Sequence, residues 1–382
     1  MYKKLKILLL SPYLPSINTT ACARKIYDSI ILLHQRGHSL YLFSFCSQDD
    51  RERTELIKPY CAQVHLEYLK DYSRYPYNYT SIRQKVSSIC NNEDVDILQC
   101  EKAYMARYLP VDIDSIPLLV EHEILSVSFA EKAKLENKFI NKLILLTRKT
   151  KKLLEEKNWY GKFKKIIVFS EEDREAIYKL YRIDKEDIEV IPLGINLREY
   201  TRMKTTEKHY DLIFVGNFSH FPNTDAVLYF YREILPLIKK SLPHISLAIV
   251  GSSPPESIRR LTESDRSISV TGYVENVKEI YSKAKVFIAP IRYGGGMRYK
   301  ILEAMALGIP VVSTSIGARG ILKENIKIAD RPKEFADSVI ELILNADKRT
   351  HQAENARLTI EKHYNLDALL DRYENVYYDL LR

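Results

Sequence analysis

The sequence predicts an α/β fold made of two doubly wound parallel-sheet domains. Short apolar segments alternate with stretches of helical apolar spacing, which is the pattern of βαβ units. Several of these segments end at a glycine, where a ligand can approach the carboxyl edge of a parallel sheet. The chain has 382 residues, too many for one ordinary core and suited to two domains.

The composition indicates a globular protein from a reducing compartment. Apolar residues make up 46% and charged residues 28% of the chain. The five cysteines include no CxxC pair, which argues against a disulfide framework or a zinc knuckle. The apolar run near the N-terminus contains Lys6 and is too short for a signal core, and no stretch approaches the ~20 apolar residues of a membrane span. We therefore expect a cytoplasmic protein.

The positive charge is concentrated in one segment. The net charge is +8, and residues 132–165 hold twelve Lys/Arg and three Glu, a local +9 that leaves −1 for the rest. Nucleic-acid binding is therefore not predicted. Apolar residues at helical spacing run through the same segment. Two interpretations stay open: peripheral contact with an anionic inner membrane face, or a helix packed on its domain with solvated lysines.

The first half opens with a strand over 6–10, a helix over 24–35 that ends before Gly37, and a strand over 39–45. A third strand is predicted over 64–69, followed by a polar, tyrosine-rich surface loop over 69–79.

The loop over 11–23 follows the first strand and therefore faces the ligand crevice of the predicted sheet. Its end provides candidate contacts to a ligand: Thr19, Thr20, Ala21 and the adjoining Arg24. A solvated helix residue is the alternative interpretation of Arg24.

Two further strands end at polar residues. The strand over 96–99 leads to Glu101 and a helix through Leu109, and the strand over 117–121 leads to His122. A histidine at this position can contact a sugar or move a proton. A buried histidine with satisfied hydrogen bonds is the alternative.

The domain boundary is predicted after two more strands, over 165–169 and 188–192. Ser170 begins a helix with an acidic first turn between them. Residues 194–210 are polar and aperiodic, and we interpret them as the interdomain linker.

The second half alternates strands and helices more regularly. Strands over 211–215, 246–250 and 268–271 are each followed by a glycine, namely Gly216, Gly251 and Gly272. A loop with Asn223 precedes a helix that ends near residue 240. Each glycine is a candidate for close approach of a ligand, and an ordinary turn glycine is the alternative.

The stretch over 285–315 carries the clearest site. A strand, KVFIAP, leads into Gly294, Gly295 and Gly296, which lack Cβ atoms and let backbone N–H groups approach an anion. Arg298 and Lys300 open a helix over 299–307, whose first turn favours negative charge. Glu303 lies on the same helix face as Lys300 and can bind a sugar's hydroxyl pair. The alternative is a βαβ unit with a tight turn.

Helices are also predicted over 333–344 and near the C-terminus, where an apolar stripe starts at Leu366. We assign residues 1–193 to an N-terminal domain, 194–364 to a C-terminal domain, and 365–382 to a helix that packs back on the first domain.

No metal site or resident cofactor is predicted. The Asp-x-Asp pairs at 94–96 and 112–114 have a spacing that could hold a divalent cation, but their context favours surface or turn aspartates. A nucleophile elbow, HExxH, a Walker lysine and GxGxxG after the first strand are all absent.

The chain resembles the family 4 retaining glycosyltransferases, which have the GT-B fold of two facing Rossmann-like domains. The C-terminal half carries the resemblance in DLIFVGNFSHFPNTDAVLYF, SLAIVGSSPP, VTGYV and APIRYGGGMRYKILEAMALGIPVVSTSIGARGI. The N-terminal half matches through LLLSPYLP, EHE at 121–123, IIVFSEED and IPLGI.

The resemblance implies a nucleoside-diphosphate-sugar donor, transfer with retention, and no metal. Donor contacts then fall on Gly216, Asn223, Gly251, Tyr273, Val274, Gly294, Gly295, Gly296, Met297, Arg298, Lys300 and Glu303. In the family, the pair at 273–274 holds the base, Glu303 the ribose, and the glycine loop with Arg298 and Lys300 the diphosphate. The catalytic residues are predicted to be His122, Arg298 and Lys300, and the acceptor side Thr20, Ala21, Arg24 and Glu101.

Three positions depart from the family pattern. The first of its two glutamates, eight positions before Glu303, is Gly295 here. The Gly-Gly loop after the first strand is replaced by Thr19, Thr20 and Ala21, and Asn223 stands in the loop after Gly216 where many members carry Arg and Lys.

We expect a glycosyltransferase whose acceptor is a glycan, a lipid-linked molecule or another hydroxyl compound, in polysaccharide or glycoconjugate assembly. A nucleotide-sugar epimerase, a phosphorylase and a non-catalytic partner subunit of the same fold are the alternatives.

Overall fold

The computed structural model describes residues 3–17, 20–70, 79–201 and 208–382. The chain forms two compact units. The first comprises Met1–Pro192 together with Asp367–Arg382, and the second comprises Leu193–Leu366.

The first unit is built on a seven-stranded parallel sheet of order β3-β2-β1-β4-β5-β6-β7. The central strand is strongly apolar, and five of its six residues are buried, as expected where helices cover both faces of a sheet. The strands are β1 (Lys6–Ser11), β2 (Ser39–Cys46), β3 (Gln63–Tyr68), β4 (Ile97–Glu101), β5 (Ile116–Val120), β6 (Lys165–Val168) and β7 (Ile188–Val190).

The helices of this unit up to β7 are α1 (Ala21–Gln35), α2 (Arg51–Ile57), α3 (Tyr79–Asn92), α4 (Leu125–Leu135), α5 (Phe139–Tyr160) and α6 (Glu171–Tyr181). The predicted start of α6 is correct, because the Ser170 hydroxyl accepts a hydrogen bond from the Asp173 N–H at 3.1 Å.

The second unit has a six-stranded parallel sheet of order β10-β9-β8-β11-β12-β13. Its strands are β8 (Tyr210–Val215), β9 (Leu247–Val250), β10 (Ile268–Gly272), β11 (Ala284–Ala289), β12 (Val311–Ser313) and β13 (Lys327–Ile328). Two parallel sheets alternating with helices confirm the predicted fold class.

The helices that follow are α7 (Phe221–Tyr229), α8 (Leu235–Lys239), α9 (Glu256–Arg259), α10 (Leu261–Ser264), α11 (Val277–Ser282), α12 (Tyr299–Ala306), α13 (Pro332–Leu344), α14 (Ala346–His363) and α15 (Leu366–Leu380). The single helix predicted up to residue 240 is interrupted by a π-helical segment, Phe230–Ile234. Pro236 lies in the first turn of α8 and lacks an N–H, so the regular hydrogen-bond ladder is lost there.

The C-terminal helix α15 packs on the first unit from Asp367 onward. The Tyr377 hydroxyl donates a hydrogen bond to Gln99 at 2.6 Å, and the His38 Nε2 atom lies 2.7 Å from Glu374. Both contacts tie α15 to the first unit.

Three helix predictions are corrected. Helix α1 begins at Ala21 rather than residue 24, because the Thr20 hydroxyl accepts a hydrogen bond from the Ala23 N–H at 3.1 Å. The segment after Glu101 forms a short 3-10 helix, Ala103–Tyr108, that ends before the Leu109-Pro110 step. The basic segment forms two helices, α4 and α5, rather than one.

The sequence prediction missed α2, α3, α9, α10, α14 and the edge strand β13. Helix α14 buries only Ala353, Ala356, Thr359 and Ile360, so it has no stripe of large apolar residues to reveal it. Thr19 and parts of the predicted loop over 69–79 and linker over 194–210 lie outside the described residues. Within the described ranges, no helix is long and apolar enough to cross a membrane.

Candidate functional site

The carboxyl edge of the second sheet is shaped by two glycines in contact. Gly251 has a φ of +147°, and a Cβ atom built on it would lie 1.8 Å from the carbonyl oxygen of Gly216. A Cβ on Gly216 would in turn lie 2.8 Å from Asn223 Cγ and 3.0 Å from Lys300 Nζ. The loops after β8 and β9 therefore pack backbone to backbone, and both glycines are required by contact rather than by a simple turn.

Lys300 is directed at this edge. Its ammonium donates a hydrogen bond to the Asn223 side-chain oxygen at 2.6 Å and lies 4.5 Å from the centre of the Phe214 ring. Burial and the neighbouring positive charge of Arg298 lower the pKa of Lys300 to about 7, although Glu303 opposes the shift. An anion bound here would restore the charged form.

Arg298 organises the glycine loop. Its guanidinium is buried and donates hydrogen bonds to the carbonyl oxygens of Gly294 at 2.6 Å, Gly296 at 2.7 Å, and Gly295. Gly294 and Gly296 have φ values of +109° and +71°, which side chains adopt only with strain. Arg298 therefore holds the loop shape, and a direct contact with phosphate stays a prediction.

Met297 directly follows the three glycines of the loop. Its side chain is buried, and its sulfur accepts a hydrogen bond from the Leu193 N–H at 3.3 Å. A donor contact predicted for Met297 would therefore be made by its backbone.

Glu303 lies one turn into α12 and is held by two tyrosines. The Tyr200 hydroxyl donates to one carboxylate oxygen at 2.6 Å, and the Tyr281 hydroxyl lies 3.5 Å from the other. Tyr281 also donates to the Lys300 carbonyl oxygen at 3.1 Å, which links this carboxylate to the start of the helix.

Tyr200 was missed from the sequence because it lies in the polar segment interpreted as a linker. Its side chain is only 2% exposed, and Lys278 Nζ lies 4.6 Å from its ring centre. An aromatic residue within a polar run was the available signal.

Tyr273 and Val274 follow β10 at the same sheet edge. Tyr273 is exposed and Val274 is half-buried. The Gly251 N–H donates to the Gly272 carbonyl oxygen at 3.0 Å, so the backbone that leads to this pair is joined to the glycine contact.

The first unit holds a second cluster, around His122. The His122 Nε2 atom lies 2.5 Å from the Glu101 Oε2 atom, which also accepts a hydrogen bond from Lys25 at 3.2 Å. The Glu101 Oε1 atom accepts a hydrogen bond from Gln99 at 2.7 Å. Burial opposes ionisation of Glu101, but Lys25 and His122 outweigh it and lower its pKa to about 2. Burial likewise opposes the charged form of His122, but Cys22 and Glu101 raise its pKa.

The predicted acceptor-side residues are arranged around the start of α1. Thr20 caps this helix and Ala21 begins it, so neither belongs to an extended loop. Arg24 is buried and forms an ion pair with Asp28 at 2.8 Å, which excludes the interpretation as a solvated residue. Lys25, which was not predicted, is the α1 residue that reaches Glu101.

In the Asp-x-Asp pair at 94–96, the Asp96 carboxylate makes structural hydrogen bonds. Asp96 accepts hydrogen bonds from the Lys6 N–H at 2.8 Å and from Lys3 Nζ at 2.9 Å. Among the described residues, no three His, Cys, Asp or Glu side chains form a group suited to a metal ion.

Two family models match the sequence, one in each half of the chain. The model described as "Glycosyltransferase Family 4" matches residues 24–199, and that described as "Glycosyl transferases group 1" matches residues 209–345. Together the two models cover most of the chain, which therefore consists of family 4 and group 1 glycosyltransferase domains. The predicted recognition of glycosyltransferase family 4 is confirmed.

Two curated relatives of this glycosyltransferase share 23% identity with it. One is an uncharacterized 44.6 kDa protein in the cps region of Klebsiella pneumoniae, aligned over 87% of this chain and 90% of the relative. The other is the N-acetyl-alpha-D-glucosaminyl L-malate synthase of Bacillus anthracis, aligned over 48% and 50%.

A solved structure shows the same fold. A variant of S. aureus TarM, in complex with Fondaparinux, alpha-GlcNAc-glycerol and UDP, superposes with a TM-score of 0.74 at 12% identity and covers 98% of this chain and 99% of its own. The glycosyltransferase therefore has the GT-B fold.

Proposed function

We propose that this glycosyltransferase moves a sugar from a nucleoside-diphosphate-sugar to an acceptor hydroxyl, with retention of configuration and without a divalent cation. The observation that carries the proposal is the cluster at the carboxyl edge of the second sheet. There Lys300 reaches Asn223 beside the Gly216–Gly251 contact, and Glu303 lies on the same helix.

Lys300 and the first turn of α12 stabilise the leaving group. When the bond between sugar and diphosphate breaks, negative charge grows on the diphosphate, and a fixed ammonium and a helix N-terminus stabilise that charge. Arg298 holds the glycine loop in the conformation that binds the diphosphate.

The nucleoside is held farther along α12. The Glu303 carboxylate accepts hydrogen bonds from the ribose hydroxyls, in the orientation that Tyr200 and Tyr281 impose on it. The backbone at Tyr273 and Val274 contacts the base.

His122 contacts the transferred sugar, and Glu101 fixes the orientation and protonation of its ring. The acceptor contacts the start of α1, where Thr20, Ala21 and Arg24 lie.

Two comparisons support the substrate class. The TarM variant is in complex with UDP, and the Bacillus anthracis relative is named for an N-acetylglucosaminyl compound. We extend both to this chain as a nucleotide-sugar donor and a hydroxyl acceptor in polysaccharide or glycoconjugate assembly.

Incubation with a panel of nucleotide sugars tests the proposal. We expect slow release of nucleoside diphosphate and free sugar from one of them, faster with a hydroxyl acceptor, and a product whose anomeric configuration by NMR equals that of the donor. The same rates are expected with EDTA present. A product that is an epimer of the donor, or no turnover of any donor, would overturn it.

Glu303→Gln is expected to weaken nucleotide binding roughly tenfold, because a hydrogen bond to a charged group contributes about 1.5–3 kcal/mol. The amide keeps an oxygen for Tyr200, so folding is retained. Titration calorimetry with the nucleoside diphosphate measures the change, and the exposed Glu263→Gln is the matched control. Equal nucleotide affinities of the two variants would contradict the proposed contact between Glu303 and the ribose.

Donor affinity is expected to fall about tenfold as pH rises from 6 to 8. In the free protein the pKa of Lys300 is about 7, and the bound diphosphate favours the charged form. Binding is therefore strongest below pH 7, weakens above it, and takes up a proton at pH 8. Calorimetry in buffers of different ionisation enthalpy measures this uptake, which should be absent in Lys300→Met.

We also propose that the start of α5 contacts an anionic membrane surface. Its first two turns expose Phe139 (79%), Ile140 (72%), Leu143 (55%) and Ile144 (46%). A helix packed on its domain would cover such residues. Exposed lysines at 138 and 142 flank this patch, which favours anionic lipid over a neutral partner.

The double variant Phe139→Ser/Ile140→Ser is expected to lose most co-sedimentation with vesicles that contain phosphatidylglycerol. Each buried apolar side chain contributes about 1.5–3 kcal/mol to the affinity. Leu344→Ser, an exposed residue of the second unit, is the control. Equal binding to neutral vesicles, or a dimer in solution that the double variant abolishes, would contradict the membrane contact.

A further inference from the structure

Cys22 differs from the other four cysteines of the chain. Burial raises the pKa of each of those thiols, to about 11 for Cys46 and about 12 for Cys61, with Cys90 and Cys100 also raised. Such thiols are inert at neutral pH. Cys22 is partly exposed and lies in the first turn of α1, where the helix dipole favours a negative charge.

Three polar side chains from other elements lie close enough to Cys22 to act on its charge. Lys102, which follows β4, has a φ of +78°, and its ammonium lies 5.6 Å from the Tyr13 ring centre. His122 follows β5, and Tyr13 follows β1. All three interact with Cys22, so the cluster joins the ends of three neighbouring strands to the start of a helix.

Two buried polar atoms of this cluster have no hydrogen-bond partner among the described residues. They are the Nδ1 atom of His122 and the hydroxyl oxygen of Tyr13. The His122 side chain is 2% exposed, and its other ring nitrogen is bound to Glu101. Both atoms are available to an ionised Cys22 sulfur or to a group attached to it.

The charges favour the thiolate. Burial opposes ionisation of Cys22, but the positive charges of Lys102 and His122 outweigh it and lower the pKa to about 6. Cys22, His122 and Glu101 therefore form a thiolate–imidazolium–carboxylate series, an arrangement that activates a cysteine.

We propose that Cys22 is a covalent modification site for small disulfides and other soft electrophiles. In the exchange, the Cys22 thiolate attacks one sulfur of the small disulfide. A new S–S bond forms, the old one breaks, and the second sulfur leaves with the electron pair as a thiolate. Cys22 is oxidised, the small molecule is reduced, and a free thiol reverses the step.

The adduct would block sugar transfer, a consequence that rests on the proposed function. A group attached to Cys22 lies against the His122 ring, to which we assign contact with the transferred sugar. Modification would then stop turnover until a thiol reductant removes the adduct.

Timed labelling of the full chain with iodoacetamide, followed by peptide mass spectrometry, tests the modification site. We expect Cys22 to react at least tenfold faster than Cys61 at pH 7, with a rate that is half-maximal near pH 6. An inflection near 8.5, the ordinary thiol value, or reaction no faster than that of Cys61, would overturn the proposal.

Two variants assign the cause. Cys61→Ser should leave the fast labelling unchanged, and His122→Asn should move its inflection to higher pH because the imidazolium is lost. An unchanged inflection would contradict the pairing with His122. Labelling needs no sugar substrate, so the two proposals can fail separately. An unreactive Cys22 in an active enzyme would contradict only this inference. Fast labelling of Cys22 without any transferase activity would contradict only the proposed function.

Discussion

Replacing Lys300 with methionine is expected to lower kcat for sugar transfer roughly a hundredfold. Its ammonium, fixed by Asn223 at 2.6 Å, provides the positive charge at the Gly216–Gly251 edge. In the proposed reaction the leaving diphosphate gains charge in the transition state, so loss of this group affects the transition state more than the bound donor.

Methionine is the appropriate replacement because it keeps the apolar stem that packs near Phe214 and removes only the charge. Lys240→Met, at an exposed lysine of the same unit, is the matched control and should retain full activity. Initial rates with saturating donor and acceptor measure the effect. If kcat of Lys300→Met stayed within twofold of the parent value, Lys300 would have no catalytic role.

Gly251→Ala is expected to destabilise the second unit by roughly 3 kcal/mol or more, one of the largest effects of a single methyl group in this chain. The added Cβ would lie 1.8 Å from the Gly216 carbonyl oxygen, which is backbone and has no rotamer to adopt. The strands β8 and β9 would have to separate at the edge where Lys300 and Asn223 meet. Thermal unfolding should show the transition of this unit lowered by roughly 6–12 °C.

Gly272→Ala is the control for this variant. Gly272 also has a positive φ, +71°, but a Cβ there meets nothing within 4 Å. Only the conformational cost of about 1–2 kcal/mol applies. The two alanine variants therefore separate backbone strain from steric contact, and equal losses of stability would show that the contact is unimportant.

The sequence was sufficient for most strands of both sheets, although not for the edge strand β13, because parallel strands are short, apolar and bounded by turns. Strands such as KILLLS and KVFIAP are buried on both faces, and their predicted limits differ from the observed ones by one or two residues. Helix α14 could not be found in the same way, since small side chains fill its contact with the rest of the unit.

The candidate site was predictable as a set of positions but not as a set of roles. Arg298 was assigned to the diphosphate, yet its guanidinium is engaged by three loop carbonyls. Spacing places a residue near a site and does not show which partner its side chain takes. The hydrogen bond from Tyr200 to Glu303 spans 103 residues and has no local sequence signal.

The same limit applies to the basic segment. Helical spacing of its apolar residues was visible in the sequence, but helical spacing alone does not tell a buried stripe from an exposed one. The structure leaves Phe139 and Ile140 exposed while it buries Leu145 on the same helix.

Titration calorimetry with UDP, GDP, ADP, CDP and dTDP tests the central claim most directly. We expect one of these nucleoside diphosphates to bind the chain with a stoichiometry of one, and its affinity to fall tenfold or more in Lys300→Met. If the folded chain bound none of them, or bound one equally well without Lys300, the site at the start of α12 would not be a diphosphate site.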